Sequence, residues 1–406
     1  MFFTNRPTMP SLETPFRIEP TRLEEPSEAI ADLVAEIAAA SAGLGRALHP
    51  RTAANLADLV RVMNCYYSNL IEGHNTHPRD IERVLNGHLD EAPERRSLQL
   101  EAAAHVRVQT EIDRMAAEDT LPEPASQEFL LLLHREFYRD APEETLLIGD
   151  GKRTVRMTPG VWRTGAAQDV SVGRHVPSSS DRVPDFMRAF QGAYRFASFG
   201  KAARILAIPA AHHRFNYIHP FPDGNGRVSR LMSHAMGYHA GIGAHGLWSV
   251  SRGLARGLES RAEYKQMMDR ADTPRQGDMD GRGNLSQRAL AEFVTWFLKV
   301  CLDQITFMAG LFEIETLARR LRMLVDRSDN LKPETARLLE EALIRGEFER
   351  GDAPRITGLP ERTARRVLND AVAARLLASE TPKGPVSLRF PQDTLEILFP
   401  RLYPQT

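Results

Sequence analysis

Residues 219–230 read His-Pro-Phe-Pro-Asp-Gly-Asn-Gly-Arg-Val-Ser-Arg. This stretch holds an imidazole, a carboxylate, two glycines around an asparagine and two guanidiniums. Gly224 and Gly226 permit backbone angles that turn consecutive N–H groups to one concave side, and such a nest binds anions. From Gly226 the text is helix-compatible. A helix starting there aims its free N–H groups and the positive end of its dipole at the same spot. Arg227 and Arg230, three apart, share one side of the first turns. Asp223, at the lip, is a hard oxygen ligand of the kind Mg²⁺ shares with phosphate. His219 stands upstream as a candidate general base. The physical reading is a seat for a di- or triphosphate, with a metal and a base at its edge. A glycine turn capped by a helix would need none of these side chains.

The string resembles the Fic family signature, H-x-F-x-[D/E]-G-N-G-R-x-x-R. His219, Phe221, Asp223, Gly224, Asn225, Gly226, Arg227 and Arg230 fill every fixed place. The resemblance implies AMP transfer from ATP, with Mg²⁺, to a Ser, Thr or Tyr hydroxyl of a target protein, the enzyme itself included. His219 would act as base and Asp223 would hold the metal. The Gly224-Asn225-Gly226 nest, Arg227 and Arg230 would hold the phosphates, while Phe221 packs behind the loop. Some family members run the reaction in reverse, and some move another group or use another nucleotide.

Elsewhere the chain reads as an ordinary globular protein. It has 406 residues, enough for two or three domains. Its net charge of −1 gives no sign of a globally basic nucleic-acid binder. Cys65 and Cys301 are the two cysteines, far apart in helical text, so no disulfide framework follows and a reducing cytoplasm is the simpler reading. Residues 1–20 lack an apolar signal region, and no apolar run reads as membrane-spanning.

The pattern is predominantly helical. A proline-bearing arm over 1–26 includes Pro7, Pro10, Pro15, Pro20 and Pro26. Helical text follows from Ser27, over Thr52–Glu72, Pro78–Asn86 and Ser97–Ala117, with Pro93 in a polar loop. An apolar helix over Gln127–Tyr138 ends near a Gly149-Asp150-Gly151 turn. The helix over 52–72 ends in Ser68-Asn-Leu-Ile-Glu72-Gly73. A glutamate in a last turn opposes the helix dipole and invites a cationic partner, and Gly73 is a plausible stop. The stretch looks like the Fic inhibitory motif, [S/T]-x-x-x-E-[G/N]. The family implies that Glu72 pairs with Arg230 and withholds it from the γ-phosphate.

Asp169, Val170, Ser171 and Val172 alternate like a half-exposed strand. With Gly160-Val-Trp-Arg163 as lead-in, they resemble the β-hairpin flap on which family members dock a target segment by strand addition. His212 and His213 precede His219, but adjacent helix residues point apart, so no three-histidine zinc site is expected. Asp278 and Asp280 fail the calcium-loop spacing and read as a surface turn. Leu285–Leu321 reads as one long helical stretch.

The C-terminal part reads as helix, turn, helix around Gly358 and Pro360, with Arg362, Arg365, Arg366 and Arg375. A wing hairpin is expected over Lys383–Phe390. This resembles the winged-helix module that follows Fic cores, and it could meet DNA phosphates or a protein. The expected organisation is therefore an N-terminal helical region (1–105), a Fic core (106–310), a linking helix (311–335) and a winged-helix domain (336–406). Partners would be a target protein, with DNA and a second copy of the chain both open. No membrane is expected.

Overall fold

The structure is a computed structural model describing residues 2–3, 13–74, 76–149 and 154–404. Two compact units emerge. One comprises Met1–Ala39, Asn64–Gly243 and Ser249–Gln304; the other comprises Ala40–Met63, Ala244–Trp248 and Ile305–Thr406.

The first unit is helical with small strand pairs. β1 (Phe2–Phe3) comes first and α1 (Glu28–Gly43) follows, leaving this unit after Ala39. α2 (Pro50–Ile71) enters this unit at Asn64. α3 (Pro78–Leu85), α4 (Pro93–Ala117) and α5 (Gln127–Phe137) come next. A single turn, α6 (Glu143–Leu146), leads into β2 (Leu147–Gly149), which pairs antiparallel with β3 (Thr154–Arg156). β4 (Val170–Ser171) pairs antiparallel with β1, Phe2 opposite Ser171 and Phe3 opposite Val170. α7 (Val183–Ala193), α8 (Lys201–Ile218), α9 (Asn225–His239), α10 (Val250–Arg256), α11 (Glu263–Ala271) and α12 (Gln287–Phe312) complete the list, α12 leaving the unit after Gln304.

α8 is the central helix. It is buried from Ala207 through Phe215 and packs against α7 and α9. Its polar residues His212, His213 and Arg214 are buried with hydrogen-bond partners, as burial on all sides requires. Phe186 and Phe190 of α7, Phe129, Leu130 and Leu133 of α5, and Val228, Leu231 and Met232 of α9 are all buried.

Several boundaries differ from the sequence reading. α4 begins at Pro93, not Ser97, because a proline suits the first helical position, where its missing N–H would have no partner anyway. The long C-terminal stretch is two helices. Glu313 interrupts it and accepts from the Thr316 amide (3.0 Å) as the cap of a new helix. α12 is long and apolar enough to cross a membrane by length and composition alone, contrary to the sequence expectation. More than half of its apolar window (56%) is buried within the protein, as in a core helix. Asp280 is buried rather than at the surface of its turn, and accepts from the amides of Gln276 and Arg288. Pro7, Pro10, Asp150 and Gly151 lie outside the described residues.

In the second unit, α13 (Ile314–Asp326) packs on α14 (Thr335–Arg345) and on α17 (Leu395–Leu398). α14 is followed by β5 (Glu347–Phe348), α15 (Ala353–Thr357) and α16 (Glu361–Ala373), then β6 (Leu377–Ala378) and β7 (Val386–Leu388). The strands form an antiparallel sheet in the order β5-β7-β6. Gly358, at φ 74°, makes the turn between α15 and α16.

Candidate active site

The 219–230 stretch links α8 to α9 and lies wholly within the first unit. His219 ends α8 with left-handed angles (φ 53°, ψ 60°). A non-glycine residue there stores on the order of 1–3 kcal/mol of strain, which its surroundings must hold. Arg163 supplies that restraint. Fully buried, it donates through Nε to the His219 carbonyl (2.7 Å) and through Nη2 to the carbonyls of Ser178 (2.6 Å) and Ile218 (3.2 Å). Its backbone N–H donates to the Pro220 carbonyl (2.9 Å).

The His219 ring is fixed by the Asn216 carbonyl, 3.3 Å from Nδ1. A carbonyl only accepts, so Nδ1 carries the hydrogen and Nε2 is the basic nitrogen. Nε2 is buried and has no hydrogen-bond partner among the described residues. Burial, reinforced by Arg163 and His175, pushes the imidazole pKa down to about 3, so the ring is neutral at pH 7.

Behind the loop, Phe221 is fully buried and stacks on His134 of α5 (centroids 3.8 Å, 11° between planes). The Gly160 amide donates to His134 Nδ1 (2.8 Å), which leaves Nε2–H to donate to the Asp223 carbonyl (3.3 Å). Asn225 closes the turn on itself. Its Oδ1 accepts from the Phe221 amide (2.9 Å) and its Nδ2 donates to the Phe221 carbonyl (2.8 Å).

Gly224, at φ 81°, precedes α9, and the first amide returned to a carbonyl is that of Val228, bonded to Gly224 (3.0 Å). The amides of Asn225, Gly226 and Arg227 therefore lie ahead of the helical ladder, at the positive end of α9. Gly224 also allows close approach: a Cβ there would lie 2.8 Å from the Tyr138 ring.

Asp223 and Arg227 meet at Tyr138. The Tyr138 hydroxyl donates to Asp223 Oδ2 (2.9 Å) and accepts from Arg227 Nη1 (3.0 Å). Arg227 also faces Glu101 of α4 (3.4 Å) and lies over the Phe137 ring (5.4 Å). Burial raises the Asp223 pKa, but Arg227 and Tyr138 outweigh it, and the carboxyl sits below its ordinary value. About a third of the side chain reaches solvent. No group of three or more His, Cys, Asp or Glu gathers as a metal cage among the described residues. One ionised, partly exposed carboxylate beside the N-terminus of α9 still fits Mg²⁺, which takes one or two carboxylates and completes its shell with water and substrate phosphate.

Arg230 is held by the end of α2. Nε donates to Ser68 Oγ (2.9 Å), while Nη2 donates to the Ser68 carbonyl (3.3 Å) and to Glu72 Oε1 (2.5 Å). The Glu72 carboxylate lies over the first turn of α9, where a Cβ on Gly226 would be 2.5 Å from Oε1. Unfavourable at the end of its own helix, Glu72 is favourable at the start of another. Gly73 follows at φ 87° and lets the chain turn away. Arg230 also bonds Tyr264, which leads to buried His212, whose Nε2 is 2.8 Å from the Tyr264 hydroxyl and whose Nδ1 is 2.9 Å from Ser233 Oγ. His213 turns the other way, to Asp272 (3.0 Å).

Of the 169–172 segment, Val170 and Ser171 form the strand paired to β1, and Val172 bridges back to His175. Asp169 faces inward and accepts from the Ser180 amide (2.7 Å) and hydroxyl (2.8 Å). His175 donates to the Tyr217 carbonyl (2.7 Å), tying this turn to the residues just before His219.

Tyr138, His134, Glu101 and Tyr264 escaped sequence reasoning, since they stand on other elements in unremarkable helical text. Arg163 carried a signal in Gly160-Val-Trp-Arg163, though not of its role.

This helical fold is shared with solved Fic-family structures. Residues 124–236 match the Fic/DOC family model. A 72-residue stretch is 33% identical to a protein adenylyltransferase Fic of Culex quinquefasciatus, covering 18% of this chain and 14% of that protein. The structure resembles a Fic family protein of Desulfovibrio desulfuricans G20 (TM-score 0.50, 20% identity, 89% of this chain and 96% of that one). A Fic domain containing signaling protein of Bacteroides thetaiotaomicron is also similar (TM-score 0.49, 17% identity, 70% of this chain and 97% of that one).

Proposed function

We propose that the chain transfers AMP from ATP to a hydroxyl of a target protein and is held inactive by Glu72. The observation that carries the transfer is the neutral His219 ring, with Nδ1 fixed and Nε2 unpartnered, next to the free amides opening α9. A buried acceptor without a donor is uncommon, and a substrate hydroxyl would supply the donor. His219 Nε2 takes the hydroxyl proton as the oxygen attacks the α-phosphorus. The bond from that phosphorus to the bridging oxygen breaks and pyrophosphate leaves. The amides of α9 and Arg227 hold the α- and β-phosphates, and Arg230 holds the γ-phosphate once Glu72 moves away. Asp223 would hold Mg²⁺, which when bound neutralises phosphate charge. β4, preceded by Asp169, which faces the Arg163 that holds the His219 carbonyl, and followed by His175, bonded to the Tyr217 carbonyl, would present the target segment by strand addition.

The test uses α-labelled ATP. His219→Ala should abolish label transfer while ATP affinity stays within about threefold, since the imidazole is not part of the phosphate seat. Transfer by a folded His219→Ala protein would exclude His219 as the base.

The second unit supports a further reading. We take helix, strand, two helices and a sheet ordered β5-β7-β6 as a winged helix. Arg362, Arg365 and Arg366 lie on the exposed face of α16, opposite buried Ala364, Val367, Leu368 and Ala371. DNA binding through that face predicts a gel shift that weakens with salt and is lost in the Arg365→Ala/Arg366→Ala protein. No shift at low salt would remove this reading.

A further inference from the structure

The edge of β4 already carries a strand, and that strand belongs to the same chain. We infer that the N-terminal arm is the resident occupant of the edge offered to a target, so that a target segment must displace it. The inference rests on the reading of β4 as the docking strand.

Three observations support it. First, β1 pairs antiparallel with β4 at Phe2–Ser171 and Phe3–Val170, which is the pairing an added target strand would make. Second, the arm is fastened further along. Glu13 accepts from the Ser179 amide (3.3 Å) and hydroxyl, and its carbonyl accepts from Arg182 Nε (3.2 Å). Arg17 donates to the Val176 carbonyl (2.5 Å), and its guanidinium lies over the Tyr217 ring (5.5 Å). Third, the base of the arm is built into the core. Ile18 is buried, the Pro20 carbonyl accepts from Arg214 Nε (3.1 Å) and Nη2 (2.9 Å), and Tyr194 donates to the Thr21 carbonyl. Gly283 lets the arm pass close, since a Cβ there would lie 2.2 Å from the Glu19 carbonyl carbon.

The physical consequence is a competition between unequal contacts. The base of the arm is held by several buried bonds and stays. The strand at its tip is two residues long, so a longer target strand makes more ladder bonds and can replace it. Tethering still gives the tip an effective concentration on the order of millimolar, which keeps out short, weakly bound segments.

The probe is a fluorescein-labelled peptide with the sequence of residues 1–12, Met-Phe-Phe-Thr-Asn-Arg-Pro-Thr-Met-Pro-Ser-Leu. The protein lacking residues 1–12 keeps every anchor from Glu13 onward, so it should fold. It should bind the peptide at least tenfold more tightly than the full chain does. Ser171→Pro in the shortened protein should abolish the binding, because proline cannot donate to a ladder. Equal binding by both lengths, no binding by the shortened folded protein, or binding untouched by Ser171→Pro would each overturn the inference. A separate readout tests the docking reading: bound peptide should suppress label transfer by the shortened Glu72→Gly enzyme. Peptide that binds as expected without suppressing transfer would leave the arm on the edge and place the target elsewhere.

Discussion

Replacing Glu72 with glycine is the sharpest test of the site's logic. The substitution removes one charge-assisted hydrogen bond, Arg230 Nη2 to Oε1 at 2.5 Å, and clears the carboxylate from the first turn of α9. Arg230 keeps its two bonds to Ser68 at 2.9 and 3.3 Å, so the guanidinium is not left bare. Glu72 is 28% exposed, so its loss should cost the fold only about 1–2 kcal/mol. If the γ-phosphate takes over the vacated bond, about 1.5–3 kcal/mol becomes available to the nucleotide, a tightening of roughly 10- to 150-fold. Calorimetric titration of ATP against parent and Glu72→Gly proteins measures this directly, and labelled-ATP uptake reads the accompanying rise in transfer. Glu72→Gln separates charge from bulk: it keeps the volume over Gly226, so it should recover only part of the gain. A folded Glu72→Gly protein with parental ATP affinity and parental label uptake would refute the reasoning.

Two further outcomes follow from the buried groups. Burial holds His105, His212 and His219 at pKa values of about 3 and His134 at about 4, below an ordinary 6.5. In acid the unfolded chain binds these protons and the folded one does not. Stability should therefore be flat from these groups above about pH 7 and fall below 6.5, by about 1.4 kcal/mol per pH unit for each histidine until its folded pKa is reached. Urea titrations at pH 7.5 and 5.5 test this, and equal stabilities would contradict it. Tyr138→Phe removes the hydroxyl that joins Asp223 to Arg227. The Mg²⁺ concentration for half-maximal transfer should rise several-fold, with transfer at saturating Mg²⁺ within about threefold of parent; an unchanged Mg²⁺ requirement would argue against an orienting role.

The candidate site's residues were legible in the sequence because they are contiguous. Imidazole, carboxylate, glycines and guanidiniums fall within one turn and one helix start, and backbone geometry does the rest. The Glu72–Arg230 pairing was legible for another reason: a carboxylate at the wrong end of a helix needs a cation, and the signature supplied a candidate. The supporting groups were not legible. Tyr138 and His134 follow the pattern of an ordinary amphipathic helix, and only the packing of α5 against α9 brings them under the loop. The alternation over 169–172 marked a strand but named no partner, so the pairing of Phe2 and Phe3 with Val170 and Ser171 could come only from the fold. The break at Glu313 was missed because a single capping glutamate looks like any polar residue within helical text.

The bare backbone at Gly226 has an evolutionary corollary. One surface, without a side chain, receives the Glu72 carboxylate and, on the proposed mechanism, the nucleotide tail. A methyl group added there would force the Glu72 carboxylate to shift and, on the proposed mechanism, would crowd the nucleotide tail as well. Spontaneous hyperactive variants should therefore accumulate at the end of α2, among Ser68, Glu72 and Gly73, and be missing from the loop itself. A saturation library sorted for runaway self-labelling would draw that asymmetry as a map.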